Sequence, residues 1–529
     1  IDTKRHFGVI VSRSLLGGRH GRSKAGFFVT KKTRDPPHLY RDGPPYQCET
    51  CLRATMFWQR CAVRAAPRAT WTMRHLSTNA STHQGMLKRV LVDAIKARGP
   101  LTIPAYMQAC LTNPDYGYYA TKDQASPSIL GSRGDFITSP EISQVFGELL
   151  AVYFVSRWQA AGAPSRVRLI ELGPGRGTLL CDMLRTFSAF PEMMSALRSV
   201  ELVESSPLFI EHQESGLSAT LGRMGRSLAN ADTPIEKLSP KEVRVEWFAS
   251  HEQVSVAPDA WTIVVAHEFF DALPIHIFEK HVNGWREVMV DVDDGHRPVS
   301  VVKASDLNRK APEPGLRFVL SPGPTAWTQL LASNSERFKM MQPGQRVEVS
   351  PAGWTVARRL GEWVSGYPAL RPEHATSQRP PADTREQRGK RSLGGCGLVI
   401  DYGGMRFFSE SFRAFRSHKL VDPLEMPGQS DLTANVDFSF LMHALHTTDA
   451  FTYGPLSQRD FLTALGLSLR LKKLVESNAP DRRVDIERAA QRLIEVNGMG
   501  TQYQILGISS PARAHGDESV EPEEVYPFL

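Results

Sequence analysis

Residues 170–177 read Ile-Glu-Leu-Gly-Pro-Gly-Arg-Gly. An apolar run, Val-Arg-Leu-Ile-Glu-Leu at 167–172, leads into them, and a helical pattern from Thr178 to Phe187 leads out. A glycine loop between a strand and a helix is where a doubly wound α/β sheet carries its cofactor. The glycines are spaced G-x-G-x-G, whereas the dinucleotide fingerprint has two residues before its third glycine. The stretch also lacks the Lys-Ser or Lys-Thr with which a P-loop holds phosphate and magnesium. A phosphate site is therefore disfavoured. A structural turn, a dinucleotide and another nucleotide-like ligand stay open on spacing alone.

Outward from this loop the pattern repeats. Short apolar runs at 200–204, 243–248, 261–268, 397–402 and 502–508 alternate with helical stretches, the signature of a mainly parallel, doubly covered sheet. Six strands in that order predict a Rossmann-like α/β domain over 166–508. Alternating runs at 285–292 and 317–320 predict an antiparallel insertion between two core strands. Residues 84–165 read as a helical N-terminal part, interrupted by the loop Asn113-Pro114-Asp115-Tyr116-Gly117-Tyr118-Tyr119. Thr138, Ser139 and Pro140 form a helix-start signal. The polar, proline-containing segment 367–394 reads as a disordered loop, and 509–529 as an acidic, solvated tail.

The acids around the glycine loop narrow its ligand. Glu171 ends the first strand, and Glu204 ends the next in Val-Glu-Leu-Val-Glu-Ser. Carboxylates there repel a pyrophosphate but suit a ligand with a cationic sulfonium and α-amine at one end and ribose hydroxyls at the other. S-adenosyl-L-methionine has that charge pattern. Gly173, Gly175 and Gly177 would let the backbone approach it without a Cβ in the way, and Glu204 could accept hydrogen bonds from the ribose diol.

The formal charge of +7 over 529 residues does not signal nucleic acid. Residues 1–83 hold 15 Lys and Arg against 4 Asp and Glu, so the remainder of the chain is net acidic. From Met56 the leader carries Arg60, Arg64, Arg68 and Arg74 with no acid, and Arg74-His75-Leu76 precedes Ser77. That composition is that of a mitochondrial transit peptide, the alternative being a basic disordered tail. With 41% hydrophobic residues the rest can bury a sizeable core, yet no run of roughly 18 apolar residues predicts a membrane span. The six cysteines (48, 51, 61, 110, 181, 396) are scattered, which suits a reducing compartment. Cys48 and Cys51 form a lone CxxC without the second pair that a zinc site needs, and no metal is expected.

At 264–274 the chain reads Val-Val-Ala-His-Glu-Phe-Phe-Asp-Ala-Leu-Pro. His267, Glu268 and Asp271 flank Phe269 and Phe270 at a strand's carboxyl end, the edge at which such sheets bind ligands. Taken with Glu-Leu-Gly-Pro-Gly-Arg-Gly-Thr, Val-Glu-Leu-Val-Glu-Ser, Gly-Asp-Phe-Ile-Thr-Ser-Pro-Glu-Ile-Ser at 134–143, Val-Ile-Asp-Tyr-Gly at 399–403 and Asp-Leu-Thr-Ala-Asn-Val-Asp-Phe at 431–438, this chain resembles the MidA family. The likeness spans about 84–508. It implies a class I methyltransferase fold with a helical N-terminal part, S-adenosyl-L-methionine as cofactor, and a mitochondrial matrix enzyme that symmetrically dimethylates an arginine on a core quinone-module subunit of complex I during assembly. A non-catalytic assembly chaperone of the same fold and a small-molecule methyltransferase are the alternatives.

The resemblance also implies roles. Asp135, Thr138, Ser139 and Glu141 are expected to close over the cofactor, with an N-cap as the alternative for that segment. A guanidinium with a pKa above about 12 needs a carboxylate to orient it and help localise a proton. Glu268 and Asp271 are the candidates. His267, Phe269, Phe270 and Asp401 are expected on the substrate side, with core packing for at least one phenylalanine and a structural alternative for Asp401 and Tyr402. Residues 412–441 are similar to the family's substrate-facing segment, with Asn435 where the family usually carries Asp.

Overall fold

A computed structural model of the chain describes residues 85–121, 137–294, 314–369, 391–514 and 519–528. The expected leader 1–83, with its transit peptide and its CxxC pair, lies outside the described residues, as do Asp135 and positions 370–390 of the expected loop.

The helical N-terminal part serves two different cores. Helices α1 (Met86–Arg98) and α2 (Ile103–Thr112) each bury one stripe, Leu87, Leu91, Val92 and Ile95 on α1 and Tyr106, Met107, Cys110 and Leu111 on α2. Thr102 caps α2, its side chain accepting from Ala105 N, and a proline sits in the first turn. By contrast α3 (Gln144–Ala160) is buried on nearly every side and belongs to the core of the main sheet.

The main sheet begins with β1 (Val167–Leu172), in which all six residues are buried. An element covered on both faces is rich in Val, Ile and Leu because neither face meets water. The chain continues through α4 (Thr178–Phe187), β2 (Leu197–Val203), α5 (Pro207–Arg223), β3 (Ser227–Ala229), β4 (Glu242–Phe248) and β5 (Trp261–His267). The small antiparallel sheet follows: β6 (His276–His281), β7 (Gly284–Asp293), β8 (Gly315–Leu320) and β9 (Arg346–Val349). Then come α6 (Pro351–Ser365), β10 (Gly395–Gly404), β11 (Arg413–Arg416), β12 (Lys419–Val421), β13 (Asp431–Thr433), β14 (Phe451–Ser457) and β15 (Tyr503–Ser510).

In the main sheet the order is β3-β4-β2-β1-β5-β10-β15-β14. Strands β3 to β10 are parallel, and β15 runs antiparallel between β10 and β14. This is the class I methyltransferase sheet, with β3 added at one edge and Val436–Asp437 beside β10. All six expected strands are present. The runs at 285–292 and 317–320 pair antiparallel as β7 and β8, with Val292 opposite Leu316 and Val288 opposite Leu320. Helices α1 and α2 cover this insertion through Ile277, Val288 and Val290, and Leu101–Thr102 adds to it a short strand on β7.

Two segments differ from expectation. The tail is not solvated throughout: Val525 is buried, the Phe528 ring packs 5.6 Å from that of Phe461, and Glu523 pairs with buried Arg157. Three well-placed anchors outweigh the acidity around them. At the ends of the expected loop, Tyr367 is buried, its hydroxyl donating to Arg513 O and accepting from Ser392 N, both at 2.9 Å. Arg391–Ser392 pairs with Arg513–Ala514.

Candidate functional site

Strand register places the site. Leu172 lies opposite Val203 on one side and Ala266 on the other, so Gly173, Glu204 and His267 fall together on the carboxyl rim. Ile400 lies opposite His267, which brings Asp401 level with Glu268. At this rim opens a cavity of about 350 Å³, the scale of a nucleoside-sized ligand pocket.

One wall is backbone. Gly173, Gly175 and Gly177 have φ of 61°, 54° and 76°, a region other residues rarely adopt. A Cβ on Gly173 would lie 3.0 Å from the Phe269 ring. Gly173 and Gly175 line the cavity, whereas Gly177 caps α4 one step behind. Gln213, fully buried on α5, ties the loop down: its amide donates to Gly175 O at 2.6 Å and to Glu204 Oε2 at 3.3 Å, while its own oxygen accepts from Trp247 Nε1 at 2.8 Å.

The second wall is acidic. Glu171 is 3% exposed, its Oε2 has no hydrogen-bond partner, and burial raises its pKa to about 8. Glu204 accepts from Ser206 N at 2.8 Å, and burial raises its pKa as well. Glu268 adopts φ 49° at the turn leaving β5. Its backbone N–H donates to Ile400 O at 2.9 Å, Oε1 accepts from Ser139 N at 3.4 Å, and the carboxylate also accepts from the Tyr503 hydroxyl. Burial first, then the neighbouring Asp271 charge, raises the Glu268 pKa to about 8. His267 Nε2 sits 3.2 Å from Glu268 Oε1, but the angle makes no hydrogen bond, and burial drops its pKa to about 3. The imidazole is neutral and offsets none of the acid charge.

Behind Glu268, Asp271 accepts a hydrogen bond from the Tyr402 hydroxyl, and burial raises its pKa. The Arg413 guanidinium stacks 4.9 Å over the Tyr402 ring and donates to Asn435 Oδ1 at 2.8 Å. Asn435 thus keeps a polar contact with Arg413 even though it lacks the family's charge.

Three expected contacts take other roles. Asp401 is fully buried, and its carboxylate accepts from the backbone N–H groups of Phe270, Asp271 and Tyr402 at 2.9, 3.2 and 2.9 Å. It fixes the turn that carries the acids instead of facing a ligand. Phe270 is buried in an apolar cluster with Leu172, Val264 and Ala266, and Phe269 alone of the two lines the cavity. Ser139 is buried too, its hydroxyl donating to Gln458 and its N–H to Glu268, so it touches the site through the backbone. Thr138 and Glu141 do line the cavity, with Glu141 3.9 Å from Arg176.

Sequence reasoning missed Ala249, Ser250 and His251, which follow β4 and line the same rim, and Tyr119 from the far N-terminal side. The first three had a usable signal, since they follow an apolar run at the carboxyl edge. Tyr119 had none, lying in a one-turn helix too short to show a period.

Sheet order, glycine cradle and acid-lined cavity together define a class I S-adenosyl-L-methionine-dependent methyltransferase. A family described as "Putative S-adenosyl-L-methionine-dependent methyltransferase" matches residues 149–456. Mitochondrial protein arginine methyltransferase NDUFAF7 of Danio rerio is 35% identical over 467 residues, covering 88% of this chain and 96% of that protein. The Homo sapiens protein of the same name is 34% identical over 464 residues, covering 86% and 91%. A Burkholderia thailandensis protein solved with S-adenosyl-homocysteine superposes with a TM-score of 0.59 at 21% identity, over 83% of this chain and 96% of that one. The chain belongs to this family of mitochondrial methyltransferases, whose methyl donor is S-adenosyl-L-methionine. The residues fit that donor: glycines leave room beside the backbone, the unpartnered Glu171 oxygen awaits a donor, and Arg176 is the single Lys or Arg among the described lining residues.

Proposed function

We propose that this protein is a matrix arginine N-methyltransferase that symmetrically dimethylates an arginine on a core quinone-module subunit of complex I during its assembly. The names of the relatives support the arginine, and the resemblance in motifs supports the subunit. The observation that carries the reading is the Glu268–Asp271 pair. Two buried carboxylates follow a neutral histidine, with Arg413 engaged by Asn435 and the lining guanidinium, Arg176, beside Glu141, so this pair is left to receive a cation from a substrate.

Gly173, Gly175, Glu171, Glu204 and Thr138 would hold the cofactor, with Gly177 shaping the loop. When bound, S-adenosyl-L-methionine supplies a methyl group activated by its sulfonium. Glu268 orients the guanidinium and, deprotonated, draws an N–H toward itself, localising a lone pair on the attacking nitrogen. Asp271, held by Tyr402, adds to the negative field and keeps the cation in register. Holding the guanidinium nitrogen still between Glu268 and Asp271 would supply much of the rate, because no covalent enzyme intermediate is required. Phe269 shields the reacting atoms from water.

The test is transfer of tritium from labelled cofactor to the recombinant subunit, read as dimethylarginine after hydrolysis. Binding of the subunit without label transfer would make the protein a scaffold; label confined to small molecules would make it a metabolite methyltransferase. Either result sinks the proposal.

A further inference from the structure

The segment Asn113–Tyr119, a turn that runs into a one-turn helix at Tyr118–Thr121, has no part in the mechanism above, yet it is tightly built. Asn113 Oδ1 accepts from the N–H groups of Asp115 and Tyr116, both at 3.0 Å, which closes an Asx turn. Gly117 N donates to Asn113 O at 2.8 Å, and a Cβ on Gly117 would lie 2.5 Å from Asn113 N and O. Only glycine passes there. Tyr118 is then fully buried in the N-terminal core, edge-on to Tyr119 with ring centroids 5.2 Å apart. Anchored by its neighbour, half-buried Tyr119 forms part of the cavity wall.

Its hydroxyl donates to Asp431 Oδ1 at 3.0 Å. Burial, then the charges of Asp431, Asp271 and Glu204, hold the phenol well above its ordinary pKa, so it stays neutral with its hydrogen committed to Asp431. Tyr119 lines the same cavity as Glu204 on the cofactor side and Glu268 on the substrate side. A phenol that donates to a carboxylate carries extra electron density on oxygen, and that oxygen is a strong acceptor.

We infer, resting on the arginine reading above, that Tyr119 is a substrate-binding residue: its oxygen accepts one N–H of the guanidinium held by Glu268, with Asp431 as its positioning residue. The pair thereby sets which nitrogen faces the methyl donor. Tyr119→Phe removes the acceptor and keeps the ring. One hydrogen bond to a charged group is worth roughly tenfold in affinity, so KM for the recombinant complex I subunit should rise about tenfold. The monomethyl share of the product should rise with it, and cofactor Kd and Tm should stay within twofold and about two degrees of the parent. Asp431→Asn, which keeps an acceptor for the hydroxyl, should shift KM less, and the double variant should be no worse than Tyr119→Phe alone.

Parent-like KM and product ratio in Tyr119→Phe would overturn the inference while leaving arginine transfer standing. A parallel loss of cofactor affinity would overturn it too, by assigning Tyr119 to the cavity as a whole. Absence of arginine label with the parent enzyme would remove the functional reading and this inference together.

Discussion

The turns after β1 and β5 leave neighbouring strands at the same rim, and both use left-handed backbone. After β1 the positive φ angles belong to Gly173, Gly175 and Gly177; after β5 the one at 49° belongs to Glu268. A glycine adopts that conformation without penalty, whereas a glutamate there costs on the order of 1 kcal/mol. The first turn spends its residues on empty space and the second on charge. Asp401 makes the second possible, pinning Phe270 and Asp271 through their amides. A cradle needs side chains absent, while a reactive turn needs one present and a buried partner to hold its backbone.

Breaking the first turn should have the larger effect. Gly175→Val puts a branched side chain where φ is 54° and into the cavity, and should abolish cofactor binding by calorimetry while the main sheet stays folded. Affinity within threefold of the parent would remove Gly175 from the cradle. Glu268→Gln is the matching test of the second turn. It should lower kcat on the order of 10²-fold or more, the range of general acid–base groups, and leave cofactor affinity nearly intact. The parent's kcat/KM should rise with pH up to about 8, because the carboxyl is protonated below its raised pKa, and the variant should lose that limb. A pH profile shared by both proteins would deny Glu268 its role.

The smallest effect sharpens the comparison through Glu171, which ends β1 but behaves like the acids of the other turn. Its folded pKa of about 8 exceeds the unfolded carboxylate value. Folding therefore favours its protonated form, a benefit complete below the unfolded pKa and lost as pH rises through about 8. At pH 9 its charge costs a few kcal/mol, so Glu171→Gln should raise the Tm of cofactor-free protein at pH 9, change it little at pH 4, and weaken cofactor binding. An unchanged Tm at pH 9 would contradict the burial argument.

How much of this the chain shows unfolded depends on what each element needs. The interior strands were legible because both faces are covered, so apolar runs such as 167–172 and 261–268 stand out. β14 was not: it is an edge strand without buried residues, and Gly454-Pro455 interrupts its pattern. The helical N-terminal part was visible, but its division between two cores was not, since an apolar stripe does not name its partner. Within the site, Glu171, Gly173, Gly175, Glu204 and Glu268 could be read from their places at strand ends. Position alone could not tell Asp401, which faces backbone amides, from Glu268, which faces the cavity. Nor could it find Gln213 or Tyr119, whose contacts span 38 and 312 residues.

The two ends of the chain close the site between them. Tyr119 meets Asp431 across 312 residues of sequence, and Ser139 joins Gln458 across 319. The cavity is lined by residues 111–273, yet Tyr119 is held there by Asp431 and Glu268 by Tyr503, so the last third of the chain supplies the supports of the pocket and not its walls.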